Sequence, residues 1–119
     1  MTAAQTLLRA RDLGEGYQLA INAFIDAFRR ASQEERLTLV ASPIESGGWL
    51  EALIAATVSC LCHETGVPLP SWLAAVTCPT LFFALPARSF AMRIRLMLES
   101  PPPFRNRNVF VPANSLSRA

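Results

Sequence analysis

Four side chains able to hold a metal ion, or to act as nucleophile and base, lie near one another in the sequence: Cys60, Cys62, His63 and, further on, Cys78. Cysteine and histidine are the usual zinc ligands, but a structural site separates its cysteines by roughly two to four residues on a turn. Here the pair is C-x-C inside a helical pattern, and residues two apart on a helix point about 200° away from each other. No metal site is expected. A nucleophilic cysteine needs an imidazole within hydrogen-bond reach, and Cys62 and His63 are adjacent on a helix, where neighbours do not face each other. The acids stand singly apart from Glu34-Glu35, and the chain has neither a glycine-rich phosphate loop nor a G-x-S-x-G elbow. No catalytic residue and no cofactor is assigned, and the chain reads as a non-enzyme.

The chemistry that remains is recognition, and it concentrates at the C-terminus. Residues 100–119 carry Phe104, Val109, Phe110, Val111 and Leu116 beside Arg105, Arg107 and Arg118, with no acid among them. Unpacked tails are normally small and polar, so this one is expected to be buried, either on a partner or over its own helices. Its three prolines, Pro101 to Pro103, lower the entropy cost of fixing the backbone. Phe104 and Phe110 are the aromatic type that anchors interfaces. Arg105 and Arg107 suit bidentate contact with carboxylates, while Asn106 and Asn108 can hydrogen-bond a partner backbone.

Composition agrees with a binding role. The 119 residues are 51% hydrophobic and only 17% charged, against about 25% charged in an average soluble domain, which leaves apolar surface for an interface. All eleven basic residues are arginine, the side chain better matched than lysine to carboxylate and phosphate. Charge is polarised along the chain. Residues 1–87 hold five arginines against eight acids, a net −3, whereas residues 88–119 hold six arginines against Glu99 alone, a net +5. A basic C-terminal third facing an acidic body suits an acidic protein cleft or, as a weaker alternative, DNA. An odd cysteine count and an N-terminus without the basic-then-apolar layout of a signal peptide point to reduced thiols in the cytoplasm. No run of apolar residues is long enough to span a membrane.

The elements that must carry this tail are helical. Thr2 with Gln5 forms a capping box before a first helix that ends near Gly14. The residues Tyr17, Ala20, Ile21, Phe24, Ile25 and Phe28 repeat at i, i+3, i+4 and predict a helix from 17 to 31. Ser32 with Glu35 starts a third, short helix that stops before Pro43. The strongest pattern begins at Trp49 and sets Trp49, Leu50, Leu53, Ile54, Thr57, Cys60 and Leu61 toward a core, with Gly66 at a left-handed cap. A short turn follows at 71–76. Residues 87–98 fit strand alternation and a helical face alike, and their composition favours helix. The fold expected is all-α: a bundle of about five helices over residues 1–99, with an extended or short-helical tail over 100–119.

The tail also carries a family likeness. Ser100, Pro101, Phe104, Arg105, Arg107, Val109, Phe110, Val111, Leu116, Arg118 and Ala119 match a terminal pattern S-P-x-x-F-R-x-R-x-[IV]-F-V-x-x-x-x-L-x-R-[AV]. In this the chain resembles a group of small bacterial antitoxin-like proteins. The looser stretch His63-Glu-Thr-Gly66-Val-Pro-Leu-Pro70-Ser-Trp72 is similar to the same group, which is related to the C-terminal half of some Xre-type regulators and encoded beside nucleotidyltransferase-like proteins. The resemblance implies the antitoxin half of a type II toxin–antitoxin pair that binds its toxin directly. Phe104, Arg105, Arg107, Asn108, Phe110, Leu116 and Arg118 would be its contacts. The chain departs from the regulator form in lacking a recognisable helix-turn-helix segment, which puts a DNA-binding transcriptional regulator second. A structural homodimer with a self-packed tail is the third arrangement.

Overall fold

The computed structural model describes residues 2–45, 47–76, 82–83, 100, 102–107 and 109–111. Within them the chain runs α1 (Ala3–Leu13), a 3₁₀ turn at Gly14–Gly16, α2 (Tyr17–Arg30), α3 (Gln33–Leu39), α4 (Trp49–Thr65), a second 3₁₀ turn at Ser71–Ala75, β1 (Phe82–Phe83), a single helical turn α5 (Pro102–Arg105) and β2 (Val109–Phe110). The molecule is mostly helical, as an all-α fold requires. Four helices make up the described body rather than about five, and the fifth is the one turn in the tail. The expected helix at 87–98 lies outside the described residues. The all-α expectation also missed a two-residue parallel pair, Phe82 opposite Val109 and Phe83 opposite Phe110. Val109, Phe110 and Val111 are strand formers, and they run extended once the proline turn has ended.

Helix ends form where the sequence signals them. The Thr2 hydroxyl accepts from the Gln5 N–H at 3.1 Å while the Gln5 side chain accepts from the Thr2 N–H at 2.9 Å, a complete capping box. Ser32 caps α3 by accepting from the Glu35 N–H at 3.2 Å, but the Glu35 carboxylate turns to the Ser32 hydroxyl at 3.1 Å and not to the backbone. At Gly66 the chain adopts φ +74°, and the N–H of Val67 closes on the Cys62 carbonyl at 3.1 Å. That left-handed step suits glycine because a side chain there is strained. The last carbonyls of α2 are satisfied from α3: the Arg36 guanidinium donates to Phe28 O at 2.9 Å and Arg29 O at 2.8 Å, and lies 5.5 Å over the Phe28 ring.

α4 is the axis of the fold. Every position from Leu50 to Ser59 is buried, as are Leu61 and Cys62, so this helix buries its whole circumference over its first three turns, where the spacing suggests one face, and opens on one side at Cys60, His63 and Glu64. A helix apolar all round must be covered all round, and α1, α2, the Ser71–Ala75 turn, α5 and β2 do so together. Its N-terminus is tied to α1 through Glu51, which accepts from the Gly48 N–H at 2.8 Å and pairs with Arg11. Burial by itself would raise the Glu51 carboxyl, but the Arg11 and Gly48 hydrogen bonds bring it below its ordinary value. Tyr17 meets Trp49 edge-on at 4.8 Å between ring centres, and burial pushes the Tyr17 hydroxyl upward.

Candidate functional site

The described part of the tail folds back onto α4. Pro102–Arg105 makes the helical turn, which closes with Asn106 N–H to Pro102 O at 2.8 Å and Arg107 N–H to Phe104 O at 3.0 Å. Phe104 is 1% exposed and belongs to the main core, as do Val109 and Val111. One serine buckles the segment: the buried Ser100 hydroxyl donates to Val111 O at 3.0 Å and accepts from the Val111 N–H at 2.7 Å. Both ends of the segment 100–111 are thereby closed on themselves by a single side chain.

Arg107 ties the turn to the body. Its guanidinium donates to Pro103 O at 2.8 Å and to Leu73 O at 3.0 Å. Leu73 lies in the 3₁₀ turn whose Trp72 indole donates in turn to Val40 O at 3.0 Å, so the tail, the turn and the end of α3 are joined in one chain of contacts. Among the described residues the buried Nε of Arg107 has no hydrogen-bond partner, and burial depresses the guanidinium below its ordinary value, opposed by the neighbouring Cys60.

Between α4 and this turn lies a groove of about 670 Å³. α4 contributes Ser59, Cys60, His63 and Glu64, and the tail contributes Pro102, Pro103, Asn106 and Arg107. Cys60 and His63 reach it together because they are three apart on one helix face, a spacing that the adjacent Cys62–His63 step does not offer. Cys62 takes the other direction into the core. Burial pushes the Cys60 thiol up to about 11, with nearby Arg107 pulling it down and Glu64 pushing it up. It is a thiol at neutral pH, a poor nucleophile. The Glu64 carboxylate is held by Arg29 through two bonds of 3.0 Å.

The expected contacts therefore divide. Phe104 fills the chain's own core and is not a surface group in this conformation. Arg107 is half-buried and spends two donors on backbone carbonyls. Arg105 is exposed on the same turn and is not a groove-lining residue, while Asn106 is exposed at the rim of the groove. The Phe110 backbone pairs with Phe83, while Asn108, Leu116 and Arg118, like Cys78, lie outside the described residues. Among the described residues, no three metal-ligating side chains come together and no helix is long and apolar enough to cross a membrane.

Comparisons with protein-family models, curated proteins and solved structures find no match. The functional reading rests on the site.

Proposed function

We propose that this chain is an antitoxin-like protein, the binding half of a type II toxin–antitoxin pair, which neutralises a nucleotidyltransferase-like toxin by direct contact. The observation that carries the reading is the opposite fate of two neighbours, Phe104 buried in the core and Arg105 exposed on the same helical turn. A guanidinium on an anchored turn loses less freedom on binding than one on a loose tail, which leaves more of its interaction as affinity. Carboxylates are its natural target, and a nucleotidyltransferase gathers them to hold metal. Arg105 meets those carboxylates, Asn106 supplies hydrogen bonds beside it, and Phe104 and Arg107 hold the turn in shape. Asn108, Phe110, Leu116 and Arg118 extend the contact along the tail. The encounter is assigned to the cytoplasm, where thiols stay reduced.

Co-expression with the product of the neighbouring gene, followed by pull-down and a growth assay, tests the reading. Arg105→Glu is expected to abolish capture and rescue while leaving the helical signal intact, and undiminished capture refutes the assignment. A second reading, self-association, is favoured by exposed leucines on α1 and α2, with Leu8 59%, Leu13 40% and Leu19 65% exposed. Light scattering of the isolated chain decides it: a dimer that Leu19→Arg converts to monomer supports this reading, and a monomeric wild type removes it.

A further inference from the structure

The groove between α4 and α5 has a feature the tail's outer contacts do not use. A guanidinium carries five N–H donors, and Arg107 commits two of them to Pro103 O and Leu73 O. Among the described residues no carboxylate pairs with it, and Arg107 lines the groove with its terminal N–H groups only in part committed, while its Nε is closed off from solvent. The one acid among the described residues of the groove, Glu64, is already neutralised by Arg29 through two hydrogen bonds. Among the described residues the groove thus presents a positive charge without a carboxylate partner, partly desolvated and held by two backbone carbonyls. Around it stand the donors Ser59, His63 and Asn106, on walls of Pro102 and Pro103. A half-buried cation without a counter-ion is costly, and the missing partner that matches it is an anion with several acceptor oxygens. A volume of about 670 Å³ falls within the range of small-ligand clefts, roughly 300–1,000 Å³.

We infer that this groove is an oxyanion site, taking a phosphate or carboxylate group against Arg107, with Ser59, His63 and Asn106 as hydrogen-bonding neighbours. Arg107 provides the charge, and its two carbonyl contacts fix the plane in which the free N–H groups of its two terminal nitrogens meet the anion. Occupancy neutralises the Arg107 charge beneath the tail and so strengthens docking of the Pro102–Arg107 turn on α4. The site goes beyond the toxin-binding reading and needs no partner, so its failure and the failure of that reading are separate results.

The test is titration of the isolated, isotope-labelled full chain, in one series with inorganic phosphate and in another with N-acetylglutamate, at constant ionic strength. Saturable shifts centred on the Arg107 Nε–H, Asn106 and His63, with a rise in melting temperature, are expected for at least one of the two. The tighter series identifies whether phosphate or carboxylate is the fitting group. Asn106→Asp puts a negative charge on the groove's rim at an exposed position that the fold tolerates, and it should weaken binding by about tenfold or more. Arg30→Gln, an exposed arginine outside the groove, should leave it unchanged. Arg107→Gln should abolish the shifts, and Asn106→Asp keeps the inference testable if that variant fails to fold. Shifts scattered over surface arginines, or shifts equal in wild type and Asn106→Asp, overturn the inference.

Discussion

Replacing Phe104 by alanine separates the two places a hydrophobic tail can go. Phe104 is 1% exposed, so truncation removes nearly the whole transfer free energy of a buried ring and leaves a cavity, at a cost of about 3–5 kcal/mol. A chain of 119 residues has a total stability of roughly 6–18 kcal/mol at the usual value per residue, so the loss is a substantial fraction. The effect has a ceiling. If the segment 100–111 can undock by itself, the penalty stops at the free energy of docking, and a second lesion in the same segment adds nothing. Urea unfolding followed by far-UV circular dichroism and tryptophan fluorescence reads both quantities. Trp72 is a built-in reporter because Arg107 bonds to the carbonyl of its neighbour Leu73. The expected result is a midpoint lowered in proportion to about 3–5 kcal/mol, with Ser100→Ala adding little in the double variant. An unchanged midpoint combined with lost partner capture would refute the reasoning, since it would make Phe104 a surface anchor.

Three further outcomes follow from the same contacts. Ser100→Ala alone strips the buried Val111 N–H and C=O of their partner, and unsatisfied groups of this kind cost about 1–3 kcal/mol each, measurable as a lowered melting temperature. Arg36→Ala releases the α2 carbonyls of Phe28 and Arg29, worth about 1.5–3 kcal/mol as charge-assisted bonds. Arg36→Lys should recover only part, because an ammonium cannot span both carbonyls as the fork does. Glu51 has its folded-state pKa held below the ordinary 4.5 by Arg11 and Gly48. Its stabilisation is therefore complete above that value and lost as pH falls through the folded pKa. Glu51→Gln should lower stability at neutral pH and flatten the acid limb of a stability–pH curve, which chemical denaturation between pH 3 and 7 checks.

Much of the helical body could be read directly from residue types. Thr2, Ser32 and Gly66 are local signals, each acting on backbone groups within a few residues, and the structure uses all three as caps. The repeat from Tyr17 to Phe28 is local as well, and its five apolar members from Ala20 to Phe28 are buried. The tail was legible only as a segment that must be buried. The free energy of removing Phe104 from water is the same against a partner as against α4, so nothing in its sequence distinguishes the two. Arg107 was equally opaque, since its partners are backbone carbonyls that any residue could offer. A carboxylate partner would have left a charged residue to find. The groove depends on Cys60 and His63 meeting a turn more than thirty residues later in the chain. α4 misled because its nearly continuous apolar run yields a plausible face in several directions, and only tertiary packing shows that every face is covered from Leu50 to Ser59.

The most direct test of the central claim is calorimetric binding of the full chain to the neighbouring gene product, wild type against Arg105→Glu, with circular dichroism recorded on both. The account predicts identical spectra and loss of binding by the variant, because Arg105 lies outside the core and is the proposed contact for the partner's carboxylates. Binding of Arg105→Glu as tight as wild type would contradict it.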